Sequence, residues 1–517
     1  MITLDFSQRG RASLTEFIYH QLKERILAGF FQPDQRLPSK RSLASHLGVS
    51  VITVQNAYQQ LIDEGYVYSA EKRGYFVTPL ELPLQAIPRS VPPTVDKESP
   101  QRESADDSAI PTMDQSQKTI NLKDSHIHQE LFPFSLWSSL MRKVLQDSKE
   151  RILSPLPPEG LRELRLAIAS YLGTFRNMDV EPEQVVIGAG TEYLYSLALQ
   201  LFGRRRYGVE NPGYLKPSQI MEAMGVAWTP VNMDSAGINV QELEAQQVDV
   251  ALVSPAHQFP SGTIMPIRRR QELLAWSQGG HQNQRERFLI EDDYDSEFRF
   301  TGRPLETLFS LDAGQISGKQ GHVIYLNTFT KTLTPSLRIS YMVLPWTLVD
   351  RFRRQLGFYS CTVSSIEQLT LARFIREGHY EKHLARRKNH YRNVRDSLLL
   401  QLSRSPIASR ISISGKDTGL HFLMELDTTL PHSQVQRLLE EAGIQVSFLH
   451  QYVHGEQPHQ HVHGEQSYQH VHGEHPCFPH RRPSLVVNYS ALKKEQIPIL
   501  VERLCRALAG SERDLRS

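Results

Sequence analysis

The sequence predicts an α/β protein with two domains, a small N-terminal helical domain that ends in a β-hairpin and a larger domain with a mostly parallel central sheet. Its 517 residues exceed the usual size of one domain. Residues 81–117 contain six prolines, no aromatic residue, and seven acidic against three basic residues, so they cannot build a core. Short apolar runs beyond them, such as Phe288–Ile290, are typical of buried parallel strands. We therefore expect a domain at 1–80, a flexible linker at 81–117 and a second domain at 118–517.

The overall composition excludes several classes of protein. Lys and Arg number 58 against 56 Asp and Glu, and this formal charge of +2 excludes a uniformly basic nucleic-acid coat. An apolar content of 39% excludes a mostly disordered chain. No apolar run approaches the roughly 20 residues of a membrane span, and the N-terminus lacks the apolar core of a signal peptide. We expect a cytoplasmic protein with no membrane partner.

The first helices of the small domain can be placed from apolar spacing and from capping residues. Apolar side chains recur every three to four residues from Leu14 to Ile26, which predicts one amphipathic helix ending before Gly29. Ser39 is a suitable N-cap for a second helix, and Gly48 follows that helix as a sharp turn.

The third helix begins after Ser50 and presents amide side chains on its outer face, which suits base edges in DNA. The alternating segment after Gly65 predicts a two-stranded hairpin with a basic tip. No acidic residue occurs between Asp34 and Asp63, so phosphate attraction is concentrated there. A small helical bundle with a solvated polar face is the alternative. The candidate DNA-binding residues are Arg36, Ser39, Lys40, Arg41, Ser50, Thr53, Gln55, Asn56, Gln59, Lys72, Arg73 and Gly74.

The segment LPSKRSLASHLGVSVITVQNAYQQLIDEGY, followed by RGYFV, resembles the winged helix-turn-helix of GntR-type bacterial regulators. The resemblance covers almost all of residues 11–80 and implies binding to double-stranded DNA. One position departs from the family, because Val51 stands where an arginine commonly follows the Val-Ser pair that opens the recognition helix.

Three patterns in the larger domain place polar residues where strands end. FLIEDDYDSEF predicts a buried strand that delivers Asp292 and Tyr294 at its carboxyl end, where ligands bind in open α/β sheets. HVIYLNTFTKTLTPSLR predicts a second buried strand, which runs into Lys331. VVIGAGTEYLYSLALQ predicts a strand that ends at Gly188 and a helix that starts at about Thr191, an arrangement that attracts anions.

Together these residues supply what pyridoxal 5′-phosphate needs, although each alone has an ordinary structural explanation. Lys331 can form an imine with the aldehyde if burial helps its amine to lose a proton. Asp292 can keep the ring nitrogen protonated, and Tyr294 can hydrogen-bond the ring oxygen. The predicted phosphate ligands are Arg338, Thr328 and the helix start Gly190, Thr191 and Glu192.

The segments ENPGYLK (210–216), SPAHQFPSG (254–262), EDDYDSEF (291–298) and NTFTK…R (327–338) resemble, in this order, the aminotransferase-like domain of fold type I pyridoxal-phosphate proteins. Behind a GntR-type domain they look like the MocR/GabR group of regulators. The resemblance implies that Lys331 is the Schiff-base lysine, that Tyr214 stacks on the ring and that His257 lies beside the ring oxygen. A plain core aromatic is the alternative for Tyr214.

The residues that would bind an effector are less evident. Family members that recognise amino acids use an arginine near the last strand, here predicted at 484–492, and the nearby arginines are Arg481 and Arg482. They are either carboxylate ligands or a solvated charge pair. Lys216 is a second candidate.

Residues 450–480 hold nine of the 21 histidines, in an imperfect nine-residue repeat. We interpret the repeat as a duplicated surface loop of the larger domain and predict no metal site, with transition-metal binding as the alternative.

These patterns predict a pyridoxal-phosphate-dependent, DNA-binding transcription regulator. It would sense an amine, an amino acid or the cofactor itself. Because fold type I sites are usually built at a dimer interface, the resemblance implies a homodimer, which would bind an operator with two half-sites. Two alternatives stay open. One is a working aminotransferase with a DNA-binding head, since Lys331 is chemically competent for turnover. The other is a regulator whose large domain is an inert dimerisation scaffold.

Overall fold

The computed structural model describes residues 14–27, 30–32, 34–63, 67–70, 74–77, 119–124, 127–279, 286–300, 306–315, 321–454 and 482–509. The chain divides into two compact units, residues 1–107 and 108–517. The predicted linker and most of the histidine repeat lie outside the described residues. Within the described part of the chain, no helix combines the length and apolarity that crossing a membrane requires.

The smaller unit is a three-helix core with a hairpin, as the capping signals predict. Its helices are α1 (Leu14–Leu27), α2 (Lys40–Leu47) and α3 (Val51–Asp63), and its strands are β1 (Val67–Ala70) and β2 (Gly74–Val77). The Ser39 hydroxyl accepts a hydrogen bond from the Ser42 amide at 3.1 Å and so caps α2. Gly48 ends α2 in the left-handed conformation, with φ 65°. Both predicted boundaries of the second helix are confirmed.

The two strands of the smaller unit pair antiparallel, with Val67 opposite Val77. Val54 and Leu61 of α3 pack in one apolar cluster with Ile18 of α1. The same packing leaves one face of α3 exposed to solvent.

The larger unit begins with the short strand β3 (Ile120–Asn121) and is built around an eight-stranded sheet. The strands of this sheet are β4 (Val185–Gly188), β5 (Tyr207–Asn211), β6 (Trp228–Asp234), β7 (Gly237–Ile238), β8 (Val250–Val253), β9 (Phe288–Asp292), β10 (Val323–Thr328) and β11 (Ser340–Val343). Their order is β4-β11-β10-β9-β8-β5-β6-β7. The strands β11 and β7 run opposite to the other six strands, so the sheet is mostly parallel, as predicted.

Helices cover both faces of this sheet, which is why a strand such as β4 is apolar on both sides. Val185 and Ile187 belong to one apolar cluster, whereas Val186 between them belongs to the other. The helices of the larger unit are α4 (Phe134–Asp147), α5 (Lys149–Leu153), α6 (Arg162–Arg176), α7 (Thr191–Phe202), α8 (Leu215–Ala223), α9 (Val240–Ala245), α10 (Ile267–Gly279), α11 (Leu308–Gln315), α12 (Trp346–Leu356), α13 (Ser365–Arg376), α14 (His379–Ser403), α15 (His432–Glu441) and α16 (Ile497–Ala509).

A second, antiparallel sheet follows the long helix α14. Its strands are β12 (Ile411–Ser414), β13 (His421–Leu426), β15 (Ser447–Phe448) and β16 (Ser484–Asn488), in the order β12-β13-β16-β15. The strand β14 (Ile444–Gln445) pairs parallel with β3. The strand β16 is the predicted last strand, and it ends at Asn488, earlier than the sequence pattern indicates.

Candidate functional site

Five parallel strands place the predicted cofactor residues along one edge of the large sheet. The strands β4, β5, β8, β9 and β10 run in the same direction, so their carboxyl ends meet at this edge. The residues that follow them are Gly190 after β4, Tyr214 after β5, His257 after β8, Asp292 at the end of β9 and Lys331 after β10. Sequence motifs that lie far apart in the chain therefore converge on one site.

Lys331 lies in the turn that follows β10. Burial lowers the pKa of its ammonium, while Asp295 opposes the shift and the positive charges of Lys216 and Arg387 add to it. A lowered pKa increases the fraction of neutral amine, which is the form that attacks a carbonyl carbon. The environment of Lys331 therefore suits a nucleophilic lysine.

Asp292 has one engaged and one unsatisfied carboxylate oxygen. Tyr195 of α7 donates a hydrogen bond to Oδ2, whereas Oδ1 is shielded from solvent and has no hydrogen-bond partner. Burial raises the pKa of Asp292 to about 7, although the Tyr195 hydrogen bond opposes the shift. A buried acceptor without a partner is costly, and a protonated ring nitrogen would satisfy it. Tyr195 was not predicted, although it lies one helical turn after the predicted helix start at Thr191.

His257 and Tyr294 are neighbours, as the sequence analysis expects of two residues near one ring oxygen. The Tyr294 hydroxyl lies 3.3 Å from His257 Nδ1, and Asp295 Oδ2 lies 3.0 Å from the same nitrogen. His257 Nε2 is buried and has no hydrogen-bond partner. The ring of His421 lies 4.4 Å from that of His257, and burial, with His257 as a further cause, lowers the pKa of His421 well below its usual range. Asp295 and His421 were missed, although Asp295 directly follows Tyr294.

Side-chain donor atoms of His257, Asp295 and His421 lie within 4.8 Å of one another, a spacing that also suits a metal ion. The contact between His257 and Asp295 is an ordinary way to orient an imidazole, so the cluster needs no ion to explain it.

The predicted phosphate end of the site contains an internal carboxylate. Glu192, in the first turn of α7, accepts hydrogen bonds from Arg338 and, at 2.8 Å, from Lys216 Nζ. Burial raises the pKa of Glu192, but the bonds from Lys216 and Arg338 outweigh it and bring the pKa down to about 2. An anion that reaches Arg338 would therefore compete with Glu192 for its guanidinium.

Gly190 lets this arrangement form. Its φ is +94°, and a Cβ there would lie 2.1 Å from a guanidinium nitrogen of Arg338. Thr191 begins α7, so free backbone N–H groups lie beside the same cations. The Thr328 hydroxyl is buried in a chain with Thr330, at 2.7 Å, and Ser340, at 2.8 Å.

Two other predicted residues, Tyr214 and Arg482, lie in different parts of the larger unit. Tyr214 precedes α8, is 38% exposed and meets Phe259 edge-to-face, so it is not a plain core aromatic. Arg482 pairs with Asp427 at 3.0 Å. Arg482 precedes the first residue of β16, Ser484, which pairs with Glu425 of β13. His421, which belongs to the site, pairs with Asn488 at the opposite end of β16. The structure therefore does not bring Arg482 to the site. Arg481 lies outside the described residues.

The exposed face of α3 carries the predicted amides. Gln55, Asn56 and Gln59 are exposed, and Ser50 accepts a hydrogen bond from the Thr53 amide at 3.1 Å, which caps the helix. Ile52 on this helix was not predicted as a DNA-binding residue, and it is 70% exposed. An exposed aliphatic group at the start of such a helix suits contact with a thymine methyl group.

Basic side chains flank this face. Arg36 and Arg41 are exposed, and Lys40 lies over the ring of Tyr75 at 5.8 Å. Gly74 has φ +117°, and a Cβ there would lie 3.2 Å from Arg36 Nε, so the guanidinium packs against the hairpin. Lys72 and Arg73, at the predicted tip, lie outside the described residues.

Comparison with known proteins agrees with the two predicted kinds of domain. Residues 14–77 match the family described as bacterial regulatory proteins, gntR family, and residues 132–454 match aminotransferase class I and II. The uncharacterized HTH-type transcriptional regulator YdeL of Bacillus subtilis is 36% identical over 83% of this chain and 87% of its own. The probable rhizopine catabolism regulatory protein MocR of Rhizobium meliloti is 30% identical over 84% and 87%.

The chain belongs to the MocR-type regulators of the GntR family. As a member it is a helix-turn-helix transcription regulator with an aminotransferase-like domain. The crystal structure of LysN, an α-aminoadipate aminotransferase of Thermus thermophilus, superposes with a TM-score of 0.61 and 23% identity over 77% of this chain and 94% of its own. This similarity confirms the predicted fold of the larger unit.

Proposed function

We propose that this MocR-type regulator holds pyridoxal 5′-phosphate on Lys331 and changes its DNA binding when a small amine or amino acid, or the cofactor itself, occupies the site. One observation carries the proposal. A partly buried lysine with a lowered pKa lies at the same sheet edge as a buried Asp292 oxygen that has no hydrogen-bond partner. LysN, which shares the fold, was crystallised with N-(5′-phosphopyridoxyl)-L-leucine, a conjugate of cofactor and amino acid.

The residues of the site fit this cofactor. Pyridoxal phosphate, when bound, supplies an aldehyde for condensation with amines and a protonated ring that withdraws electrons. Asp292 would accept the ring N–H through Oδ1, and Tyr195 would fix the orientation of the carboxylate through Oδ2. His257 and Tyr294 would hold the ring oxygen.

At the other end, Arg338 and the start of α7 at Gly190 and Thr191 would receive the phosphate in place of Glu192. The exposed ring of Tyr214 would stack on the pyridine face.

The smaller unit would bind double-stranded DNA, with α3 in the major groove and the basic residues around Arg41 on phosphates. Aminotransferase-like sites are commonly built between two subunits, so we propose a homodimer that recognises two half-sites in the bacterial cytoplasm. A ligand can change DNA binding only if it binds two states of the protein with different affinity.

The test uses the full chain with pyridoxal phosphate. Borohydride reduction, followed by mass spectrometry of peptides, should place one cofactor on Lys331 and none in Lys331→Ala. Footprinting on the DNA upstream of the gene should change with amines or amino acids in the wild type and not in Lys331→Ala. Lys382→Ala, which removes an exposed lysine of α14, should behave as the wild type.

Two results would contradict the proposal. The first is a wild-type protein that borohydride does not label. The second is a Lys331→Ala variant that keeps the full ligand response, which would favour the inert scaffold. Repeated turnover with an amino donor and a 2-oxo acid would instead favour a working aminotransferase, because a sensor is expected to stall on its ligand.

A further inference from the structure

A small cavity adjoins the catalytic lysine on the side of the long helix α14. Its lining includes Lys331, Thr330, Ile127, Arg387, Tyr391 and Ser490. Two cationic side chains, Lys331 and Arg387, therefore share one cavity. Ser490 lies just beyond β16, so the cavity also borders the region where an effector arginine is expected from the sequence.

Arg387 is 1% exposed and is held in position by its surroundings. Its two terminal nitrogens donate to the Leu333 carbonyl oxygen at 2.8 Å and to the Tyr391 hydroxyl at 2.7 Å. The guanidinium also lies over the rings of Tyr391, at 5.2 Å, and Phe298, at 5.8 Å. The side chain is thus oriented in advance, as a binding arginine requires.

The charge of Arg387 is not neutralised within the described part of the chain. Its terminal nitrogens donate to neutral oxygens, no carboxylate there forms an ion pair with it, and its Nε is buried without a hydrogen-bond partner. A buried cation without a counter-ion is expensive, and fixed protein dipoles offset only part of that cost. Arg395, on the same helix, shows the usual solution, because it pairs with Asp396 at 2.7 Å.

We propose that Arg387 binds the carboxylate of a small amino acid whose amino group lies at Lys331. This inference rests on the proposed function and identifies its effector class. A guanidinium paired with a carboxylate gains charge-assisted hydrogen bonds that an amine alone does not offer. The ligand would supply the counter-charge that Arg387 lacks, and Arg387 takes the role that the sequence suggests for Arg481 or Arg482.

Two further observations support this assignment. The positive charge of Arg387 is among the causes that lower the pKa of Lys331, so the two groups interact across the cavity. The cations of the phosphate end, Arg338 and Lys216, both pair with Glu192, and neither of them lines the cavity that Arg387 shares with Lys331.

The test compares probes that differ only by a carboxylate. Glycine is paired with methylamine, and L-alanine with ethylamine, in titrations of the protein loaded with pyridoxal phosphate. The measured quantity is the half-saturating concentration, taken from the absorbance of the bound cofactor. The half-saturating concentration of the amine is divided by that of the matching amino acid, and this ratio reports the contribution of the carboxylate. The same pair of probes is used for every variant, so differences in their intrinsic amine reactivity cancel when the ratios of two variants are compared.

In Arg387→Met the ratio should fall at least roughly tenfold, which corresponds to about 1.4 kcal/mol. Its amine values should stay unchanged, since methionine suits the aromatic surroundings. Arg395→Met is the matched control and should keep the wild-type ratio. Arg387→Lys keeps the charge but loses the planar fork, so its ratio should fall at least about threefold. If Arg387→Met fails to fold, the ratio measured for Arg387→Lys tests the assignment of Arg387.

An unchanged ratio in Arg387→Met or in Arg387→Lys would overturn the assignment. So would weaker binding of pyridoxal phosphate to Arg387→Met before any probe is added, because Arg387 would then serve the cofactor. Failure of the proposed function looks different, since wild-type protein would then carry no cofactor on Lys331 after borohydride reduction.

Discussion

The two units of this regulator use their functional side chains in opposite ways. In the smaller unit the amides of α3 and the nearby Arg41 are exposed and face solvent. In the larger unit His257 is buried and Lys331 and Asp292 are partly buried, and Tyr195 and Asp295 hydrogen-bond to Asp292 and His257 respectively. An exposed surface can lose a side chain at little cost in stability, whereas a buried charged group depends on every partner around it.

This difference predicts large effects from small changes at the proposed cofactor site. In Gly190→Ala the new methyl group would displace the Arg338 guanidinium, and the backbone at φ +94° would carry strain of about 1–3 kcal/mol. We expect pyridoxal phosphate to bind on the order of a hundredfold more weakly, because a lost charge-assisted hydrogen bond adds about 1.5–3 kcal/mol. An absorbance titration of the cofactor measures this loss.

Gly203→Ala is the matched control at the other end of α7. Its φ is +72°, but nothing lies within 4 Å of a Cβ there, so only the backbone strain is reproduced. This variant should lose stability and keep its cofactor affinity. Equal losses of affinity in the two variants would show that strain in α7, and not displacement of Arg338, weakens binding.

The smaller unit should show a smaller and salt-dependent effect. Arg41→Ala removes one exposed cation from the acid-free segment, so operator binding should weaken by roughly tenfold or less. The slope of log affinity against log salt should become less steep by about one, since one phosphate contact is lost. Gel-shift titrations between low and moderate salt, on the DNA fragment that footprinting protects, measure both quantities.

Arg142→Ala makes the same change of charge on an exposed position of α4 in the larger unit. It should leave both the affinity and the salt slope unchanged. If Arg142→Ala weakens binding as much as Arg41→Ala, the contribution of Arg41 is general electrostatics and not a contact on the recognition surface.

The same contrast explains what the sequence could predict. Ser39 and Gly48 act on neighbours within a few residues, so local rules place the ends of α2 correctly. The strands β9 and β10 and their terminal residues follow from short apolar runs. Tyr195, however, reaches Asp292 across 97 residues, and no local pattern distinguishes it from Tyr193, the other tyrosine of α7.

Arg387 illustrates the limit most clearly. It lies in HLARRKNHYRNVRD, a stretch rich in basic residues that reads as a solvated helix face. Only the packing of α14 against Leu333 and Phe298 shows that Arg387 is buried.

Burial should also give the larger unit a pH-dependent stability. Glu210 of β5 is buried, and burial raises its pKa to about 8, while hydrogen bonds from the Ser254 amide, at 3.2 Å, and Gln258, at 3.3 Å, offset part of the shift. Between its ordinary pKa and pH 8 the folded protein therefore keeps a proton that the unfolded chain releases. The free energy of unfolding should consequently fall as pH rises through this window.

Glu210→Gln removes this titration and keeps the shape of the side chain. Its free energy of unfolding should fall less steeply than that of the wild type between pH 5 and pH 8. The difference between the two slopes should be a fraction of about 1.4 kcal/mol per pH unit, which is what one full proton contributes. Urea unfolding followed by tryptophan fluorescence reports the larger unit alone, because Trp137, Trp228, Trp276 and Trp346 all lie in it. Glu222→Gln, at an exposed position of α8, should keep the wild-type slope. A slope in Glu210→Gln equal to that of the wild type would mean that Glu210 is ionised in the folded protein. Burial would then not keep this carboxylate protonated, and in its ionisation it would resemble the exposed groups of the smaller unit.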